Sequence, residues 1–335
     1  MKGTFRMESN WGILGHEWAV DMLKQHLLHG QVRHAYLLTG PSGLGRRTLA
    51  LRFAQALNCP TPLQPGEPCR ECKTCRQIEA MTYPDLTVVQ SEAVGGVLKV
   101  EQIRQVQHSL SLKPFKGAHR VALFLRFQEA NANAQNALLK TLEEAPAYVI
   151  LMLTADGAEQ LFPTIVSRCE VLRLRPLPAE RVESFLTARG VDPSAARLLA
   201  AVSGGRPGYA RTLRDEPQAL EFRRVRLEDL PRLLGGTRQE RFAYAELLAR
   251  DKESFRATLL IWLAYWRDVL LRTAGSGGEM VNVDRAEEIA ERAATMTLAE
   301  AHRLVAGLEA ALEQLEKNAN PRLLAEVLLL DWPHG

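Results

Sequence analysis

A glycine-rich segment between a predicted strand and a predicted helix has the composition of a phosphate-binding loop. It reads Gly40-Pro-Ser-Gly43-Leu-Gly45-Arg46-Arg47, with the Gly-x4-Gly spacing of such loops. Glycines allow backbone N–H groups to converge on a phosphate, and the positive end of the following helix adds to the attraction. The next two positions differ from the motif, because Arg46 replaces its lysine and Arg47 replaces the hydroxyl residue that binds Mg²⁺.

These two replacements favour a loop that keeps its shape without hydrolysing a nucleotide. A guanidinium is broader than an ammonium, and Arg47 cannot ligate a metal. In ATP-hydrolysing folds of this type, carboxylates that hold Mg²⁺ and position water follow the strand predicted here at Val121–Leu125. Leu125 and Arg126, then Phe127, follow Phe124 instead, and Glu129 comes late. We therefore expect no ATP hydrolysis by this chain, while weak binding of a nucleotide or another anion stays open.

Four cysteines, spaced C-x9-C-x2-C-x2-C, predict a metal site. They are Cys59, Cys69, Cys72 and Cys75, and the first gap is rich in proline and glycine, which predicts a loop. Four thiolates suit tetrahedral Zn²⁺ in a closed structural site, and an iron–sulfur cluster is the main alternative. Cys169 stands alone and is predicted to be an ordinary core thiol.

The metal site could either bind nucleic acid or stabilise an inserted surface loop. We favour the second role, because the basic residues of the insertion are balanced by acidic ones and leave no clear basic face. The basic residues are Arg70, Lys73 and Arg76, and the acidic residues are Glu67, Glu71 and Glu79.

Length and composition limit the remaining possibilities. The chain has 335 residues and a formal charge of +3, which predicts two or three domains and argues against a generically basic nucleic-acid coat protein. Aromatic residues make up only 6%, which argues against a series of stacking platforms. No apolar run is long enough for a membrane span, and Met1–Asn10 shows no export signal. We therefore expect a cytoplasmic protein.

The first half of the chain alternates short apolar strands with helices, which predicts a parallel sheet covered on both faces. The predicted strands are Ala35–Leu38, Leu86–Val89, Arg120–Leu125, Tyr148–Leu153 and Val171–Leu174, and the predicted helices between them are Arg46–Leu57, Val100–Leu112 and Ala130–Glu144. From Pro178 onward the strand patterns stop and only helices are predicted. The glycine-rich stretch at residues 274–278 is predicted to be a loop.

Several motifs in the same order resemble the AAA+ clamp-loader subunits of bacterial DNA polymerase III. They are His34–Gly45, the four-cysteine insertion, Asn136–Glu144 and the Ser-Arg-Cys run at residues 167–169. The resemblance is strong over Trp11–Pro176 and weaker beyond it, where Asn318–Glu326 resembles the last helix of the family's collar domain. It implies an AAA+ P-loop-type α/β module at residues 1–176 with a zinc-binding insertion at 59–75, a helical lid at 177–214 and an all-α collar at 215–335.

The resemblance also implies a function. Motor subunits of this family keep the loop lysine, the threonine and the acidic pair, so this chain is similar to a member that does not hydrolyse ATP. Arg168 would then be an arginine finger that reaches ATP on a neighbouring motor subunit, where a guanidinium can stabilise charge on the transferring phosphoryl group. Taken by position alone, Arg168 would be a surface salt-bridge partner.

Two further family positions can be compared. Thr154 ends a buried strand where motor subunits use a polar residue to sense the γ-phosphate; the alternative role for Thr154 is to cap the strand. Gly208 stands where motor subunits carry a second sensing arginine, and Arg206 is out of register. The second comparison implies another loss of nucleotide chemistry.

By this resemblance, the partners are motor subunits of the gamma/tau type and a delta-type subunit in a five-subunit ring. The complex would place the sliding clamp on primer–template DNA. Two other functions remain open: an ATP-hydrolysing subunit of the same loader, and a zinc-dependent nucleic-acid-binding protein without ring partners.

Overall fold

The computed structural model describes residues 10–317 and 319–333. Residues 1–9 of the segment without an export signal, and Asn318 at the start of the collar-like motif, lie outside the described residues. The chain forms two compact units, the first made of Met1–Phe185 with Gly205–Tyr209 and the second of Leu186–Gly204 with Ala210–Gly335. The division into three modules stays a prediction.

The first unit is built on a five-stranded sheet in the order β2-β3-β4-β1-β5, with every neighbouring pair parallel. The strands are β1 Ala35–Thr39, β2 Leu86–Val89, β3 Arg120–Phe124, β4 Val149–Ala155 and β5 Glu170–Arg173. All seven residues of β4 are buried, as expected for a strand covered on both faces. Side chains alternate between two cores: Tyr36 and Leu38 pack on one face of the sheet, and Ala35 and Leu37 pack on the other.

Helices α1 to α6 belong to the first unit. They are α1 Glu17–Leu28, α2 Arg46–Asn58, α3 Lys73–Glu79, α4 Val100–Leu110, α5 Ala132–Glu144 and the single turn α6 Pro163–Val166. The predicted start of α5 at Ala130 is two residues early, because the Asn131 side chain caps the helix and accepts the Ala134 N–H at 2.9 Å. The predicted α/β class is confirmed, while α1 and α3 were not predicted.

The chain beyond β5 is helical in the described residues, which confirms the second part of the predicted fold class. Helices α7 Ala179–Thr187 and α9 Pro207–Asp215 each contain residues of both units. The others are α8 Pro193–Val202, α10 Pro217–Gly235, α11 Arg238–Leu248, α12 Lys252–Thr273, α13 Ala286–Thr295, α14 Leu298–Glu316 and α15 Pro321–Leu330. Residues 274–278 lie outside any helix, as predicted. None of the described helices is long and apolar enough to cross a membrane.

A buried arginine ties two helix ends together in the second unit. Arg241 on α11 is 1% exposed, and each of its five N–H groups donates to a backbone carbonyl. The acceptors are Leu233 and Leu234 at the end of α10, Leu329 in the last turn of α15, and Trp332 and Pro333 beyond it. The last carbonyls of a helix have no partner within that helix, so this guanidinium satisfies acceptors that would otherwise be buried unpaired.

Candidate functional site

The glycine-rich segment forms a loop between β1 and α2, the position that a phosphate-binding loop requires. Gly40, Gly43 and Gly45 have φ values of 132°, 88° and 97°, a region that other residues rarely adopt. The Gly40 N–H donates to the carbonyl of Asp156, just beyond β4, at 3.1 Å. The shape of the predicted loop is therefore present, and the three glycines are there for its backbone conformation.

Arg46, at the lysine position of the loop, points into the protein. It is 8% exposed, and its Nη2 donates to Asp156 Oδ1 at 2.7 Å in an ion pair. Its Nη1 is buried and has no hydrogen-bond partner among the described residues. The cation of the loop is thus neutralised by a carboxylate of the same chain.

The start of α9 lies directly on the loop. The Gly208 N–H donates to the Gly43 carbonyl at 2.8 Å, and a Cβ at Gly208 would lie 2.8 Å from that same oxygen. A Cβ at Gly43 would in turn lie 3.0 Å from the Tyr209 nitrogen. Gly208 therefore has no room for a side chain, which gives a physical reason for glycine where motor subunits carry the sensing arginine.

The residues after β3 form an ion pair with each other. Arg126 has φ 52°, and its Nε donates to Glu129 Oε1 at 2.8 Å. The Glu129 carboxylate also accepts the Ser91 hydroxyl and, at 2.8 Å, the Gly95 N–H. Glu129 lies in a short 3-10 turn at residues 127–129, and its oxygens are already used by these three donors.

Thr154, in the polar position on β4, is buried and bonded to the neighbouring strand end. Its hydroxyl oxygen accepts the Arg126 N–H at 2.9 Å and lies 3.4 Å from the Phe124 carbonyl, to which it donates. Both contacts are with backbone of the β3 end, so the hydroxyl serves as a link between two strand ends.

The four predicted metal ligands converge. The Sγ atoms of Cys59, Cys69, Cys72 and Cys75 all lie within 4.8 Å of one another, with Cys59 and Cys69 separated by 3.5 Å and Cys69 and Cys75 by 3.9 Å. Sulfurs around tetrahedral Zn²⁺, at about 2.3 Å from the metal, are about 3.8 Å apart. The cluster can therefore hold a metal ion of this size.

Donors inside the cluster favour the thiolate form of Cys69. Burial opposes ionisation of this thiol, but hydrogen bonds from the Thr61 hydroxyl and the Cys72 and Glu71 N–H groups lower the pKa of Cys69 to about 6. The Cys72 N–H lies 3.3 Å from Cys69 Sγ, and the Cys75 N–H lies 3.4 Å from Cys72 Sγ. N–H groups aimed at sulfur stabilise negative charge there, as metal-bound thiolates require.

The cysteine loop is fastened to the core of the first unit. The indole N–H of Trp11 donates to the Gly66 carbonyl at 2.9 Å, and the ring, 1% exposed, stacks on Phe53 of α2. Lys24 of α1 forms an ion pair with Glu67. These contacts fix the middle of the cysteine loop to Trp11 and to α1.

Arg168 lies just after α6 on a hydrogen-bonded turn. Its Nη1 donates to the Thr164 carbonyl at 2.9 Å, and its Nη2 donates to Glu143 Oε1 of α5 at 2.5 Å. Its side chain is 36% exposed. Beside it, Cys169 packs against the core, and burial raises the pKa of this thiol to about 12.

Sequence reasoning missed two residues of this site. Asp156 is 110 positions from Arg46, and Glu143 is 25 positions from Arg168, so no local spacing links either pair. The ends of neighbouring parallel strands meet at one edge of the sheet, which is the general signal that could have placed Asp156 near the loop.

A parallel sheet carrying a phosphate-loop turn, followed by an all-helical region, defines a P-loop-type α/β protein with a helical C-terminal part. Residues 15–178 match the family described as DNA polymerase III, delta subunit, and residues 217–334 match its C-terminal family. The chain belongs to the family of DNA polymerase III delta′ subunits, which are subunits of the clamp loader.

Three curated relatives illustrate this membership. The delta′ subunit of Pseudomonas aeruginosa is 34% identical over 76% of this chain and 76% of its own length. The delta′ subunit of Bacillus subtilis is 28% identical over 94% of this chain and 95% of its own. The tau subunit of Escherichia coli is 31% identical over 67% of this chain but only 35% of its own length.

Proposed function

We propose that this chain is a clamp-loader subunit that does not hydrolyse ATP itself. It joins gamma/tau-type motor subunits and a delta-type subunit in a ring, and presents Arg168 as an arginine finger to ATP on a neighbouring motor. The ring loads the sliding clamp onto primed DNA. The observation that carries the non-hydrolysing part is the ion pair between Arg46 and Asp156 in the phosphate loop.

The ion pair between Arg46 and Asp156 supports this proposal because it occupies the cation of the loop. The Arg46 guanidinium is already paired with the Asp156 carboxylate, so a nucleotide phosphate at the loop would have to compete with that carboxylate for the same cation, and two neighbouring anions repel each other. Gly208 already bonds to the loop backbone at Gly43. The carboxylates that hold Mg²⁺ in motor subunits have no counterpart at Leu125 and Arg126.

We expect the isolated chain to show no turnover of Mg-ATP above the buffer background. The double substitution Arg46→Lys with Arg47→Thr should not create turnover, because it restores the loop but supplies no carboxylate at Leu125 or Arg126. Phosphate release measures both, with a gamma/tau-type motor subunit as the positive control. Robust turnover by the unaltered chain would instead support the alternative of an ATP-hydrolysing loader subunit.

The geometry of Arg168 supports its assignment as the finger. An arginine that acts on a neighbour's phosphate must be exposed, must be carried by a rigid backbone segment and must be able to reach the neighbouring subunit. Arg168 follows a turn in which the Ser167 and Arg168 N–H groups donate to the Pro163 and Ile165 carbonyls at 2.9 Å and 3.1 Å. A guanidinium presented this way can add hydrogen bonds to phosphate oxygens.

An apolar stripe on α15 supports assembly through the helical region. Leu323, Val327 and Leu330 are 60%, 50% and 38% exposed, and their spacing of four and three residues places them on one face of the helix. Exposed leucine and valine side chains aligned in this way are typical of surfaces that another protein covers. This helix ends the segment that resembles the family's collar.

We infer that the cysteine cluster holds structural Zn²⁺. We expect about one zinc per purified chain, and Cys72→Ser should remove most of it and lower the unfolding temperature of the chain, by about 2–4 °C for each kcal/mol lost. Metal analysis and thermal unfolding measure these effects, with Cys169→Ser as the control that should keep its zinc.

Two outcomes would contradict the zinc proposal. Iron with acid-labile sulfide in the purified chain would identify the cluster as the iron–sulfur alternative. If Cys72→Ser abolished salt-dependent DNA binding by the isolated chain and left ring assembly unchanged, the nucleic-acid-binding function would be favoured instead.

A further inference from the structure

We propose that Glu143 is a positioning residue for Arg168, and that it orients the guanidinium which the neighbouring ATP meets. The inference rests on the proposed function of Arg168 as a finger. Glu143 lies in the last turn of α5, and its Oε1 accepts from Arg168 Nη2 at 2.5 Å. The Thr164 carbonyl of α6 accepts from Nη1 at 2.9 Å. The two Nη atoms of the guanidinium are therefore each held by a different helix.

Fixing both Nη atoms matters because an arginine side chain is long and rotatable. Ordering such a side chain costs conformational entropy, and a contact that orders it in advance removes that cost from the reaction step. A guanidinium has five N–H groups, and the two bonds described leave three for other acceptors. The side chain stays 36% exposed, so its outer face is open to phosphate oxygens.

The helix that carries Glu143 is itself tied to the turn that carries Arg168. Gln135, two helical turns before Glu143, accepts the Phe162 N–H at 2.9 Å through its Oε1. Gln135 is 6% exposed, and its Nε2 donates to the Ala130 carbonyl at 3.1 Å. The start of α6 and the Arg168 side chain are therefore both hydrogen-bonded to side chains of α5. Helix α5 thus fixes the position of the finger.

The test uses the reconstituted loader with ATP hydrolysis confined to the site that faces this chain. Motor subunits in which their own finger arginines are replaced provide that background. Glu143→Ala should lower kcat at this site by about 10-fold and leave KM for ATP within about 2-fold, since a misoriented finger acts mainly on the transition state. Glu144→Ala, a neighbouring exposed glutamate, should match the unaltered complex.

The double substitution separates positioning from a structural effect. If Glu143 acts only through Arg168, Glu143→Ala combined with Arg168→Ala should have the same rate as Arg168→Ala alone. The unfolding temperature of Glu143→Ala should equal that of Glu144→Ala, because an ion pair this exposed contributes little to stability.

Three outcomes would overturn the inference in distinguishable ways. An unchanged kcat in Glu143→Ala, with a large loss in Arg168→Ala, refutes positioning and leaves the finger intact. A higher kcat in Glu143→Ala means that the carboxylate withholds the finger instead of orienting it. No loss in Arg168→Ala refutes the proposed function itself.

Discussion

Replacing Arg168 by alanine is expected to slow ATP hydrolysis at the motor site facing this chain by about 10³-fold or more. The guanidinium of a finger compensates charge that grows on the transferring phosphoryl group, so its removal affects the transition state more than ATP binding. Clamp loading on primed DNA should fall with it. The measurement is single-turnover hydrolysis and clamp loading by the reconstituted complex.

Arg168→Lys is the matched variant for this experiment. Lysine keeps the positive charge but loses the planar fork, so we expect it to recover only a small part of the rate. Native mass must show an intact ring with each variant, since loss of assembly would also lower the rate. Unchanged hydrolysis and loading in Arg168→Ala would leave Arg168 as a surface ion-pair partner of Glu143.

Patterns that act over short distances in the sequence were sufficient to predict much of this fold. Continuous apolar runs such as Arg120–Leu125 and Tyr148–Leu153 are found within one or two residues of β3 and β4. Burial on both faces requires such runs, so composition alone marks an inner strand. The cysteine spacing predicted the convergence of four sulfurs for a similar reason, because Cys69, Cys72 and Cys75 follow one another at intervals of only three residues.

Features that depend on distant parts of the chain could not be predicted in this way. The sequence showed that Arg46 replaces a lysine, but only the fold brings Asp156 beside it. The same holds for Gly208, which sequence comparison marked as a lost arginine. Its physical reason, contact with the Gly43 carbonyl, needs the start of α9 to lie on a loop about 165 residues earlier.

Replacing Arg241 by methionine should destabilise the helical unit more than any single surface change. The substitution keeps a long apolar side chain but leaves five backbone carbonyls without their donor in a buried site. Unpaired buried acceptors are costly, and we expect a loss of about 3–5 kcal/mol in the free energy of unfolding. Three of the five tryptophans, Trp262, Trp266 and Trp332, lie in this core, so denaturant unfolding followed by tryptophan fluorescence reports it.

Arg238→Met on the same helix is the control, since Arg238 is exposed and its loss should change stability by no more than about 0.5 kcal/mol. Arg241→Lys should recover little, because an ammonium has three donors and cannot reach acceptors at the ends of two helices at once. If Arg241→Met unfolded at the same denaturant concentration as Arg238→Met, the five carbonyls would have found other donors. Arg241 would then add no stability beyond its packing. The contact between the end of α10 and residues 329–333 would be stabilised by the packing of the tryptophans in the core.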